Sequence, residues 1–294
     1  MTGTGTQADP YIVSTWEEFK TAVDTINVYV ALDPSATSKV MDANDANINP
    51  FSTSVRFQCN GIEGNGWTIR NLYFNGTGLS MISNVQTCTI NNLYFENIVC
   101  NNGISSFLYA TKATFNACRF TGIKYAGSPS AAIVSGSSTT SSRGKFSKCT
   151  FAFKVVGKSA GSLFSYTDFT ECNFNIISSA KATSGTRCDI FDHCTLENAL
   201  ILGGITLNGG GSIYMANTST VMKNLFAAVE INRPDGDTTV FYPGKATTTS
   251  CIVKDLIGSG ITYYNGDNIQ YVTAAQGKDC LLYTSPSPRD RTRS

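Results

Sequence analysis

The 294-residue chain is poor in charge, in histidine and in helical periodicity. Asp, Glu, Lys and Arg together make up 15% of it and the net charge is +1. No basic stripe stands out, so nucleic acid is not an expected partner. The single histidine, His193, excludes sites that need two imidazoles. No C-x-x-C pair occurs, so the usual zinc spacing is missing. No run of 18 apolar residues exists, so no membrane insertion is expected. The start, Met1-Thr-Gly-Thr-Gly-Thr, lacks a basic region and an apolar core, and no signal peptide is expected. No cofactor is expected.

A ladder fills the space that these absences leave. Apolar, two residues, apolar, one residue, apolar returns as Ile69-Arg-Asn-Leu72-Tyr-Phe74, Ile90-Asn-Asn-Leu93-Tyr-Phe95 and Phe115-Asn-Ala-Cys118-Arg-Phe120. It continues as Phe146-Ser-Lys-Cys149-Thr-Phe151, Phe169-Thr-Glu-Cys172-Asn-Phe174 and Phe191-Asp-His-Cys194-Thr-Leu196. Looser copies follow at Met222 and Val253. A unit recurring at this scale, unable to bury its own apolar face, is a solenoid. The last two apolar residues of each copy share one face of a strand. The two residues before them break that period, which requires a corner, and Asn71, Asn92 and Asn224 suit its left-handed backbone. The expected fold is all-β: one parallel β-helix coil per copy, with like side chains stacked in columns. Cys118, Cys149, Cys172 and Cys194 occupy one repeat position, and Cys88 and Cys251 are read as sharing another. Stacked free thiols are the expectation, with disulfides or a metal as the alternatives.

The ladder resembles the right-handed parallel β-helix superfamily, the pectate-lyase-like fold, over residues 9–280. Ile62-Glu-Gly-Asn-Gly-Trp-Thr-Ile-Arg-Asn-Leu72 is similar to that group's first-coil signature. The resemblance implies a single-stranded right-handed β-helix and names no reaction.

Residues 1–27 read as a strand and a capping α-helix. Ser14 or Thr15 caps the helix, Glu17 or Glu18 completes a capping box, and Trp16, Phe19, Val23 and Ile26 form its apolar face. Residues 28–280 are the β-helix. The long intervals place loops near 101–112, 127–144, 203–219 and 232–249. Residues 281–294 break phase with a Pro/Arg bias, resemble translated sequencing-adapter read-through, and are expected to be a non-native tail.

Candidate chemistry is sparse. His193 sits in Asp192-His-Cys194, at the repeat position filled by Lys148 and Glu171 in neighbouring copies. In register, Lys148, Glu171 and His193 would stack about 4.8 Å apart. Glu171, Asp192 and His193 are therefore the candidate catalytic group, against charge alternation at solvated corners. Glu171 with Asp192, or Asp168 with Asp189, are candidate carboxylate pairs at glycosidase spacing. Asp42 and Asp45 are candidate metal ligands, although Asn47 and Thr53 stand where an EF-hand loop needs Gly and Glu. Arg119, Arg143 and Arg187 are scattered, and no lyase cluster can be matched residue by residue.

Two functions are weighed. One is a non-enzymatic structural or adhesive protein, a phage virion component such as a tail spike, fibre or appendage. It would bind cell-surface polysaccharide through residues such as Tyr73, Asn91 and Tyr94. It would reside in the virion, or in host cytoplasm before assembly, with reduced thiols; the resemblance adds a homotrimer. The other is a polysaccharide lyase or glycoside hydrolase of the pectate-lyase-like fold. A third, a bacterial surface protein with its export signal upstream of this fragment, would place the chain outside the cell.

Overall fold

The computed structural model describes residues 1–43, 54–74, 80–84, 87–100, 106–125, 132–158, 161–181, 187–208, 212–216, 219–232, 239–241, 247–249, 251–254, 261–263 and 269–272. The named strands pair in parallel throughout and build three long sheets, here A and B of ten strands each and C of seven. One coil visits them in turn, as in Ser106–Ala110 on C, Ala113–Asn116 on A and Arg119–Tyr125 on B. Each following coil adds one strand to each sheet, and the result is a parallel β-helix.

Period-2 alternation divides every strand between wall and core. On sheet A the inward row runs Ile62, Ile90, Phe115, Phe146, Phe169, Leu196, Met222. On sheet B it runs Met41, Ile69, Phe95, Phe120, Phe151, Phe174, Ile201. All are buried. Rings in one row stack, with centroids 4.7 Å apart for Phe115–Phe146 and 5.0 Å for Phe120–Phe151. Rings in facing rows meet edge-on, as Phe146 and Phe151 do at 5.3 Å.

The A-to-B corner explains the broken period. Asn92, Ala117, Lys148, Glu171, Asn198 and Asn224 hold it in successive coils, each with φ between 50° and 55°. Their amides stay in the ladder: Lys148 N donates to Thr170 O at 2.9 Å and Glu171 N to Glu197 O at 2.9 Å. Asn adopts this conformation readily, whereas Ala, Lys and Glu pay about 1–2 kcal/mol for it.

The residue after the corner turns inward. That column runs Trp67, Leu93, Cys118, Cys149, Cys172, Ala199, Leu225, as the coil-to-coil hydrogen bonds define it. The described cysteines are free and buried, and three of them stack in this column. Cys194 does not join them. Phe191 pairs with Phe164 on sheet C, and Leu196 pairs with Phe169 on sheet A. The Phe191–Leu196 copy therefore spans the C-to-A corner, and Cys194 lies against Thr167, 3.6 Å from its hydroxyl. The Ile69–Phe74 copy is also out of phase, lying wholly within strand Thr68–Phe74 on sheet B. Cys88 and Cys251 do not share a position either, being on sheets A and B.

The intervals read as loops hold sheet C strands, among them Ser106–Ala110, Val134–Gly136 and Ser212–Ala216. Glycine and serine there read as turn chemistry in the sequence. These strands are three to five residues long, and their polar side chains are not all outward, Ser106 being buried.

The helix spans Trp16–Val23, with Thr15 as N-cap accepting from Glu18 N at 3.3 Å. Glu18 in turn accepts from Ser14 N at 3.0 Å and pairs with the Met1 ammonium, which holds its carboxyl below the usual range. Phe19 meets Phe57 edge-on, and Val23 O accepts from Gln58 N at 2.7 Å, tying the helix to the first coils. Ile26 falls beyond the helix end and is 58% exposed, not part of the apolar face. No described helix is long and apolar enough to cross a membrane. Residues 281–294 lie outside the described residues.

Candidate functional site

The phase of the coils decides which candidates meet. Glu171 occupies the A-to-B corner and forms a solvated ion pair with Lys148 at 3.8 Å; the two side chains are 51% and 68% exposed. Asp192 and His193 occupy the C-to-A corner instead. The proposed stack of Lys148, Glu171 and His193 therefore does not exist, because the Phe191 copy belongs to a different corner. The pairing of Glu171 with Asp192 fails for the same reason. Asp168 faces Lys145 and Thr195 on sheet A, whereas Asp189 faces Ser162 and Tyr214 on sheet C, so that carboxylate pair is not assembled either.

The C-to-A corner has its own cluster. His193 Nδ1 lies 2.7 Å from Asp192 Oδ1, and its ring stacks on Tyr166 one coil away at 4.8 Å. Tyr166 and His193 both sit at positive φ, 53° and 55°, so like backbone geometry aims both rings the same way. Nearby, the Arg143 Nη1 donates to Asp168 Oδ1 at 3.4 Å, and the buried Arg143 Nε has no hydrogen-bond partner. An imidazole oriented by a carboxylate can move a proton. Of the acids considered for glycoside hydrolysis, Glu171 stands at the other corner, and Asp168, the acid near this one, is held by Arg143.

Asp42 is engaged laterally: its Oδ2 accepts from Arg70 Nε at 3.0 Å and Asn71 Nδ2 at 2.7 Å. Among the described residues, no group of three or more His, Cys, Asp or Glu side chains could hold a metal ion. Asp45 lies outside the described residues. So does Arg187's side chain, whose strand belongs to sheet C.

The buried thiols are unsuited to nucleophilic chemistry. The neighbouring Cys118 thiol, together with burial, pushes Cys149 up to about 12, and burial pushes Cys194 up to about 11. Cys59 and Cys88 sit with sulfurs 3.7 Å apart, and that contact and burial raise Cys88 far above its ordinary value.

The wall outside sheets A and B carries what the sequence reading named only in part. Amides zip laterally from coil to coil: Asn116 to Asn91 at 2.9 Å, Asn97 to Asn71 at 2.6 Å and Asn224 to Asn198 at 3.1 Å. Tyr94 carries the Arg119 guanidinium 4.7 Å above its ring. Thr89, Thr114 and Thr195 share an outward row on sheet A with Lys145 and Asp168. Tyr73 begins an outward row on sheet B that continues through Val99 and Lys124 to Lys154 and Ile177.

No family model and no curated protein matches the sequence. Among solved structures, the chain is similar to a Bacteroides ovatus protein provisionally assigned as an immunoglobulin A1 protease. The match has a TM-score of 0.46 and 13% identity, and covers 97% of this chain and 90% of that one.

Proposed function

We propose that the chain is a non-catalytic, adhesive β-helix that presents its outer wall to cell-surface glycans, as a virion appendage such as a tail spike or fibre does. The observation that carries this is the wall itself. Threonine and asparagine side chains recur from coil to coil, the amides locked to one another in lateral pairs, and Tyr73 and Tyr94 stand among them. Such a surface offers a sugar chain hydrogen bonds and stacking at low ordering cost, because the side chains are already held. The candidate acids and the histidine, by contrast, are divided between two corners. Assembly as a homotrimer belongs to the same reading.

The test is a panel of immobilised capsular, pectic and neutral polysaccharides, with binding and product release read in parallel. Retention with intact glycan supports adhesion. Unsaturated or reducing ends that disappear in His193→Gln would replace it with the alternative, a polysaccharide lyase or glycoside hydrolase of the pectate-lyase-like fold. Failure to retain any glycan would end both.

A further inference from the structure

The overall charge of +1 conceals a segregated arrangement. Residues 97–167 contain no Asp or Glu, and every charged side chain among them is Lys or Arg. Glu96 precedes the segment and Asp168 follows it, and acids recur on both sides. Because the segment winds through successive coils, the fold turns a stretch of sequence into a basic belt around the middle of the solenoid. Two of its cations reach acids in the flanking coil, Arg143 to Asp168 and Lys148 to Glu171.

Those on the outer wall of sheet B do not. Arg119 lies over Tyr94, while Lys124 and Lys154 are exposed, and none of the three has an ion-pair partner among the described residues. Lys124 and Lys154 are register partners on adjacent strands. Like charges directly opposite one another on a sheet are unfavourable, and the spacing between strands is about 4.8 Å. The sequence that links these strands to the next ones, residues 101–105, 126–131, 159–160 and 182–186, contains no Asp or Glu.

We infer that the sheet B wall at Arg119, Lys124 and Lys154 is a binding surface for a glycan bearing sulfate or phosphate esters. This rests on the adhesive reading above and names the chemical class of its ligand. Two stacked ammonium groups act as point charges that a tetrahedral oxyanion can bridge. Arg119, stacked face-on over Tyr94, keeps its in-plane N–H fork free and fixed in direction, so a tetrahedral oxyanion has an oxygen to spare for the ammonium pair, which a planar carboxylate with two oxygens lacks. The acids bordering the belt confine an anionic chain to a narrow track across the coils. A nucleic-acid backbone, whose phosphates would run on past the belt, is disfavoured there. Thr121 and Thr150 share the wall and can bond sugar hydroxyls.

The test is equilibrium binding to dextran sulfate, poly(glycerol phosphate), polygalacturonate, neutral dextran and single-stranded polythymidylate across a salt series. Dextran sulfate or poly(glycerol phosphate) should bind at least tenfold more tightly than polygalacturonate, and the tighter of the two identifies the ester. Lys124→Gln/Lys154→Gln should weaken that binding about tenfold or more and flatten its salt dependence, each phosphate or sulfate contact contributing about one unit of slope. Circular dichroism of the variant should be unchanged and its thermal midpoint equal or slightly higher, since both side chains are exposed and their mutual repulsion is removed. Equal binding of polygalacturonate, tighter binding of polythymidylate, or no effect of the double substitution overturns the inference. Neutral dextran bound while every anionic polymer is rejected overturns it alone and leaves the adhesive reading standing. Rejection of all the glycans overturns both.

Discussion

Replacing Phe151 by Ala should be among the most damaging single changes available to this protein, and replacing Lys148, three residues earlier, among the mildest. Phe151 is fully buried. Its ring stacks on Phe120 at 5.0 Å and Phe174 at 5.2 Å and meets Phe146, Phe164 and Phe169 edge-on. Losing the transfer free energy of a buried aromatic removes about 1.5–3 kcal/mol. The void left among five rigid rings on fixed strands cannot collapse, and the total expected is about 3–5 kcal/mol. Lys148 is 68% exposed and its ion pair with Glu171 is solvated. Its unfavourable φ of 55° is retained by Ala, which also has a Cβ. The expected change is below about 0.5 kcal/mol. Urea unfolding followed by both circular dichroism and intrinsic fluorescence measures the difference. Two probes are needed because solenoids can unfold in segments. Similar losses at the two positions, or a larger loss at Lys148, would refute the assignment of wall and core.

Other consequences follow from the same geometry. Ala117→Gly should stabilise by about 0.5–1 kcal/mol, since relief of a left-handed Ala at φ 52° outweighs the entropy of Gly; a loss of stability in thermal melts would contradict it. Gly136→Ala should destabilise by about 1–3 kcal/mol, because an added Cβ would fall 2.1 Å from Tyr166 O; an unchanged melting temperature would mean the coils are looser than described. Thiols whose folded pKa is raised stabilise fully below the unfolded value of 9.0 and lose that contribution as pH climbs through the folded value. With Cys194 at about 11 and Cys149 at about 12, stability should fall between about pH 9 and 12. Cys149→Ala should show a shallower alkaline decline than the parent protein, and an identical slope would remove the thiols as its cause.

The column logic was legible in the sequence, but the coil boundaries were not, and the reason is physical. Both the C-to-A and the A-to-B corners place one left-handed residue between two inward ones, so both print the same apolar pattern. His193 and Glu171 accordingly look equivalent in a string and stand at different corners, with φ of 55° and 54°. The clue that separates them is a pair of consecutive buried residues on or leading into five of the seven sheet C strands: Met81-Ile82, Phe107-Leu108, Ile133-Val134, Leu163-Phe164 and Ile190-Phe191. Strict alternation forbids such a pair, so each one marks a bend in the chain. Aligning on these pairs places Phe191 with Phe164, removes Cys194 from the thiol column and puts Tyr166 beneath His193, as the backbone does. It would also have recovered sheet C, whose serine- and glycine-rich strands otherwise resemble loops. The candidate site was harder for a further reason. A solenoid gathers residues a full coil apart, and coils here differ in length, so an error of one corner disperses any proposed cluster. The basic belt survives such errors, because an acid-free run longer than a coil encircles the core whatever its phase.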